Sequence, residues 1–417
     1  MPDPNLRTPY VQQWNLSIQQ EIKGAVVELR YVGNHATKAL RAFDYNQVLI
    51  REFGFFEDFM RARSNGFLAL AAKGAFDPRY DASIAGSQPL TVFPQLGRDG
   101  LLTNATVQNL IRQGEVGELA NIYQTNRLNG PFNFYRNPFA LGTNMLTNYS
   151  NSTYNALQVD VRRRVGKGLL VQGNYSYSKV LSDAAGDGQT RFEAFLDINN
   201  AKIERARAPY DLTHQFKANW VYEFPFGEGQ WLDVVKLRRI IGGWSMSGIL
   251  TWQSGTPFSI LSERGTLNRA ARSSGTNTAN TSLNKGQLDD LLKFRMTGVG
   301  PYFVAASAIG PDGRAVASDG SPAFQGQVFF HPAPGTVGAL QRRMFSGPSA
   351  FNLDFGLQKT TRITERQSLE IRMESTNILN HPTFFVGDQV ISSTSFGRIT
   401  STMFGRRLIQ FGAYYRF

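Results

Sequence analysis

Along much of this chain hydrophobic and polar residues take turns. At the C-terminal end Ile409, Phe411, Ala413, Tyr415 and Phe417 alternate with Leu408, Gln410, Gly412, Tyr414 and Arg416. A period of two predicts a strand whose apolar side chains share one face. The same pattern opens the chain: Trp14, Leu16 and Ile18 alternate with Gln13, Asn15, Ser17 and Gln19. After a break at Glu21–Gly24, Ala25, Val27, Leu29 and Tyr31 oppose Val26, Glu28, Arg30 and Val32. Leu157, Val159, Val161 and Val165 oppose Gln158, Asp160, Arg162 and Arg164, and past a tight turn Leu169, Val171, Tyr175 and Tyr177 oppose Gln172, Asn174, Ser176 and Ser178. Four more segments follow, carried by Phe216–Phe224, Trp244–Trp252, Phe351–Leu357 and Leu369–Met373. At the chain's 41% apolar frequency, five alternate apolar sites in a row are about a one-in-ninety event. Recurrence in about nine segments therefore marks strands rather than chance.

The connections are sorted as well as unequal. Short turns alternate with long loops, and residues 35–152 and 255–348 lose the period-two signal. In the first loop Phe53, Phe56, Met60 and Phe67, and then Val107, Leu110, Ile111 and Ile122 after a cap residue at Asn104, lie near helical spacing. They predict two amphipathic helices. Aromatic stripes at this spacing ordinarily fill a core, so a self-packed loop is expected rather than a ligand-contacting cap. The second loop carries turn signals at Pro311–Gly313 and Ser318–Gly320.

One-sided strands with short turns at one end and long loops at the other are what a bacterial outer-membrane barrel requires. No run of eighteen apolar residues is present, which removes a membrane-spanning helix and leaves a barrel open. Mean hydropathy is −0.28. Charge placement agrees. Glu28, Arg30, Asp160, Arg162, Arg164, Lys217, Asp354, Glu370, Arg372 and Glu374 all fall on the polar face. A basic residue at the lipid midplane costs roughly 2–4 kcal/mol, whereas a wet lumen tolerates it. Ile409, Phe411, Tyr415 and Phe417 read as the signature of a closing strand with its last aromatic at the membrane interface.

The expected fold class is all-β: the C-terminal part of a large antiparallel transmembrane barrel, about nine strands, with long external loops carrying short helices. An odd strand count places Met1 outside the cell if the C-terminus is periplasmic, whereas a whole barrel has both termini inside. MPDPNLRTPYVQQW has neither the basic start nor the apolar core of a signal peptide. Both observations lead to the expectation of a C-terminal segment, with the signal peptide absent from it. A soluble β-rich binding protein is the competing reading of the same pattern.

The remaining chemistry narrows the function. With Cys 0, disulfides, cysteine-ligated zinc and thiol catalysis are excluded. The net charge of +12 is scattered, and Arg162–Arg164 with Lys167 reads as a basic rim at the periplasmic end rather than a nucleic-acid patch. Ser176 and Lys179 match an SxxK motif, but positions three apart on a strand point to opposite faces. Asp183–Gly188 hints at a calcium loop without the full ligand series. His35, His214, His331 and His381 have no metal spacing, and no phosphate-binding glycine loop is present.

Six stretches resemble the Oar-like branch of TonB-dependent receptors: TPYVQQWNLSIQQEI, FEDFMRARSNGFLAL, YNALQVDVRRRVGKGLLVQGNYSYSKVLSD, GGWSMSGILTWQSGTPFSI, RQSLEIRMESTNILNHPTF and RRLIQFGAYYRF. The resemblance covers nearly the whole chain. It implies an outer-membrane protein with a barrel of about 22 strands, filled by an N-terminal plug, whose uptake of a scarce ligand is energised through the inner-membrane TonB complex. It also implies the partners: outer-membrane lipid, the barrel assembly machinery, an unknown small ligand, and TonB only through the plug domain, which is expected to be absent from this stretch. No enzyme activity, cofactor, metal or nucleic acid is expected. A structural or adhesive outer-membrane barrel without transport is the alternative.

Overall fold

The computed structural model describes residues 1–166, 168–183, 195–268 and 277–417. Nine long strands form one antiparallel meander: β1 (Tyr10–Ile22), β2 (Ala25–Asp44), β3 (Asn144–Val165), β4 (Leu169–Ser182), β5 (His214–Glu223), β6 (Trp244–Gln253), β7 (Ala350–Arg362), β8 (Ser368–Thr376) and β9 (Leu408–Arg416). A two-residue strand, Ala206–Arg207, pairs beside the end of β4. Each long strand pairs with its neighbours in sequence, and β1 and β9 keep one edge each. Because every pairing is antiparallel, those two edge strands run in the same direction. No helix among the described residues is long and apolar enough to cross a membrane.

Register lines the alternating residues into continuous rows. One row runs Ile18, Leu29, Val159, Tyr175, Phe216, Trp252, Phe351, and the next runs Gln20, Val27, Val161, Gly173, Ala218, Leu250, Leu353. These rows are not packed under a second layer: Leu16 is 67% exposed, Ile18 62% and Phe411 73%.

The buried apolar residues lie in the loops instead. Residues 45–143 form a core of their own from Phe55, Phe59 and Ala62 of α1 (Phe55–Lys73), Val107, Leu110 and Ile111 of α2 (Ala105–Gln113), and Val116, Leu119 and Tyr123 of α3 (Val116–Thr125), closed by Phe93 and Phe134. At its base the Tyr45 amide donates to the Thr143 carbonyl at 2.8 Å, so the two ends of the loop meet. A second core joins Phe258, Ile260, Phe303, Phe329 and Phe345 of residues 254–349 to Ile391, Phe396 and Ile399 of residues 377–407.

Three differences from the sequence reading have physical causes. The strands β2 and β3 continue to Asp44 and from Asn144, so the first loop spans 45–143 and not 35–152. Beyond Thr37 of β2 and before Ser152 of β3, where pairing with β1 and β4 has ended, their neighbours are loops: Phe43 packs against Phe195 at 4.7 Å and Arg41 is buried. With such surroundings the ladder persists while alternation does not. A bulge between Ala36 and Arg41, with Lys38 at φ 54°, marks the change.

The loop holds three helices and not two, because Gly114 at φ 76° ends α2. The Asn104 cap is present, its side-chain oxygen accepting from Thr106 and Val107 N–H. Finally, α1 buries Phe55 and Phe59, while Phe53 lies outside it at φ 62° and Met60 faces solvent. The buried stripe is offset by one residue from the one the spacing suggested.

Candidate functional site: a charged sheet face under interlocked loops

Register places all ten charged candidates on the face opposite the apolar rows. Glu28, Asp160 and Lys217 share one row with Gln19, Asn174 and Thr251. Arg162 shares the next with Gln172, Asn219 and Asp354. Arg164 and Glu374 fall in a third, Arg30 pairs with Ser17 and Gln158, Arg372 with Gln358, and Glu370 with Thr360.

Most pairing runs along strands rather than across them. Arg30 meets Glu28 at 2.5 Å, Arg162 meets Asp160 at 2.9 Å, and Arg372 meets Glu370. Residues two apart share a face about 7 Å apart along the strand, within reach of an arginine. Two contacts do cross: Arg416 to Glu370 at 3.1 Å and Gln172 to Asp160 at 3.2 Å. Asp354 instead holds a strand end, accepting from Asn352 Nδ2 and Asn377 N–H at 2.9 Å each. Arg164, Lys217 and Glu374 make no ion pair among the described residues. Where Gly356 contributes no side chain, Asp354, Ser247, Glu374 and Gln410 border a groove of about 490 Å³.

On the opposite face, glycines make room for indoles. A Cβ on Gly33 would stand 2.0 Å from Trp14 Nε1, and one on Gly248 2.2 Å from Trp220 Cζ2. Ile409, Phe411 and Tyr415 of β9 continue these rows beside Ser375, Met373 and Leu369. Phe417 follows the strand, stacked on Tyr415 at 6.1 Å and 91% exposed.

The weaker motifs resolve. Ser176 lies in the polar rows opposite Gln158, and Lys179 lies opposite Asn155 on the other face. Asp183 accepts from Ser150 Oγ at 2.5 Å and sits 3.8 Å from Arg41, while Asp187, Gly188 and Lys167 lie outside the described residues. The histidines contact different partners: Thr153 for His35, Tyr175 for His214 and Ser262 for His331. Among the described residues no cluster of His, Asp or Glu is placed to hold a metal.

Sequence reasoning missed the charges that lock the long loops together, since their partners lie far apart in the chain. Arg264 grips Asp319 through two bonds of 2.8 and 2.7 Å and donates to the Gln113 carbonyl at 2.9 Å. Arg112 donates to the Asp319 carbonyl at 2.7 Å. Gly117 N–H donates to the Gly265 carbonyl at 2.9 Å, and a Cβ on Gly117 would meet the Asn268 backbone at 2.5 Å. Deeper, Glu204 bonds Arg342 at 2.5 Å and lies 3.9 Å from Arg41, whose guanidinium covers the Phe195 ring at 4.4 Å. His331 is half-buried beside Arg264 and Asp319. Burial, reinforced by Arg264, pushes its imidazole down to about 3, with Asp319 opposing. Burial also pushes the Glu263 carboxyl up, Asp388 adding to the effect.

A family model described as "Outer membrane beta barrel domain" matches residues 1–410. No curated protein matches the sequence. Among solved structures, the outer membrane transporter YddB from Escherichia coli is similar at 8% identity, covering 99% of this chain and 33% of that one, with a TM-score of 0.37. The pyoverdine outer membrane receptor FpvA from Pseudomonas aeruginosa is similar at 9% identity, covering 99% and 30%, with a TM-score of 0.32. The chain thus spans about a third of the length of each, and at these scores the family match carries the assignment.

Proposed function

The chain belongs to the outer membrane beta barrel domain family, and from that premise we propose that it forms wall and external loops of a TonB-dependent receptor of the Oar-like branch. The protein lies in the outer membrane. In this reading the nine strands are one arc of a larger barrel. Its support is that β1 and β9 keep unpaired edges running in the same direction. Antiparallel closure then takes an odd number of further strands. The long-loop end is external, the short-turn end periplasmic, and the ten charged residues line the lumen. Ligand is captured by the interlocked loops and passes along the charged face once a plug, coupled to TonB, moves aside.

The observation that carries the reading is the division of the sheet: the ten charged candidates on one face, mainly apolar rows on the other, and, among the described residues, no second layer over the apolar rows. Because Cys is 0, single cysteines report cleanly. In outer-membrane vesicles a water-soluble maleimide should label Thr251→Cys and spare Leu250→Cys. Labelling of Leu250→Cys alone would overturn the lumen assignment. Transport is tested by deleting the full gene. Growth defects on scarce nutrients that match those of a TonB deletion support uptake. Defects in surface attachment alone support the adhesive alternative.

A further inference from the structure

Resting on the reading of the apolar rows as a lipid-facing wall, we propose that residues 224–243 bind an anionic phospholipid of the adjoining leaflet. The other connections at the short-turn end are brief: Lys23–Gly24, residues 166–168 and residues 363–367. This one is long and folded back on itself. Gly227 N–H donates to the Leu232 carbonyl at 2.8 Å, and Trp244 Nε1 donates to the Ile240 carbonyl at 2.9 Å. Arg238 holds both oxygens of Asp233, at 2.5 and 2.6 Å, and opens the short helix α4 (Arg238–Ile241).

What this folded connection presents is apolar. Trp231 is 84% exposed, Val235 72% and Ile240 66%. Large exposed apolar groups clustered in one segment mark a contact surface. Beneath them Phe224, Phe226, Leu232, Ile240, Trp244 and Leu357 border a cleft of about 440 Å³. Along it Tyr222 meets Phe224 edge-on at 5.1 Å, and Phe224 stacks on Phe226 at 5.5 Å.

Two features select lipid as the occupant. The first is continuity: Leu357 pairs with Met246 in an apolar row, and Trp244 pairs with Lys359 in the next, so the cleft joins the face that touches acyl chains. The second is charge. Lys236 and Arg239 are exposed and make no ion pair among the described residues. Lys359 carries its ammonium past the Trp244 ring, 5.7 Å from the centroid, to the Gly242 carbonyl. Arg238 is occupied by Asp233 and Glu228. An acyl chain in the cleft leaves its phosphate to Lys236 and Arg239, with the Trp231 indole at headgroup level, where indoles concentrate.

The test uses the full chain in nanodiscs of phosphatidylethanolamine and phosphatidylglycerol. Native mass spectrometry reads the retained lipid, and acyl-brominated lipid reads tryptophan depth by quenching. Phosphatidylglycerol should be retained preferentially, and Lys236→Glu with Arg239→Glu should reduce that preference roughly tenfold. Should that pair disturb assembly, Lys236→Gln with Arg239→Gln gives the same direction with less charge change. Comparison with Trp231→Phe should isolate a quenched Trp231 signal. Unchanged preference in both charge variants overturns the site. So does an unquenched Trp231 beside quenched strand tryptophans, a result that leaves the barrel wall standing. If no tryptophan is quenched, the wall reading falls and the site with it. Self-association abolished by Ile240→Ser, without lipid preference, assigns the surface to a second copy and also overturns the proposal.

Discussion

Glu28 and Asp160 stand directly opposite each other on neighbouring strands, and each is neutralised by an arginine two residues along its own strand. Like charges in that position destabilise a sheet. Arg30 lies one row to one side of the pair and Arg162 one row to the other, so the four charges alternate across the face. The arginines are half-exposed, which limits each pair's worth. Arg162→Ala should cost about 0.5–1 kcal/mol, and Asp160→Asn should recover most of it. A double-mutant cycle on urea unfolding of the refolded chain measures the coupling.

The two faces should answer differently to the same charge. Leu250 lies in an apolar row between Ala218 and Leu353, and Thr251 lies in a charged row beside Lys217 and Asn352. Leu250→Arg should cost roughly 2–4 kcal/mol, and Thr251→Glu should be near neutral. The readout is the folded fraction in lipid vesicles by gel mobility with and without heating.

Gly248 is fixed by its neighbour. With Trp220 lying across it, Gly248→Val forces the indole out of place and should cost about 1–3 kcal/mol, the usual range for overpacking. Adding Trp220→Ala should relieve the clash, and tryptophan emission during urea titration follows both variants.

Acid should loosen the loop that contains His331. The imidazole takes its proton near 6.5 when unfolded and at about 3 when folded. Between those values the unfolded chain binds more protons, so stability rises with pH and is lost as pH falls from about 6.5 toward 3. At about 1.4 kcal/mol per pKa unit the loss is on the order of a few kcal/mol. Hydrogen exchange over residues 254–349 should accelerate across this window, and His331→Gln should flatten the dependence.

The sheet of this molecule was legible because an apolar face opposite a charged one forces a period of two. That period reports what touches each face, not where backbone pairing stops. It therefore ended near Tyr31 and resumed near Tyr154, while the ladder of β2 and β3 runs on to Asp44 and Asn144. The candidate charges were legible by face alone. Their partners were not, because an arginine two residues away competes with one across the strand, and spacing does not decide between them. The loop contacts, such as Arg264 with Asp319 or Glu204 with Arg342, join residues too far apart for any local pattern. The cap at Asn104 was readable because its partners, Thr106 and Val107, follow at once.

The base at which Tyr45 and Thr143 join has a last consequence. Whatever lies above it keeps its own interior and returns to its starting point, so it can be exchanged or resized without shifting the hairpin that bears it. The bonds to residues 254–349, from Gly117 to Gly265, Arg264 to Gln113 and Arg112 to Asp319, are then the restraints on such replacement.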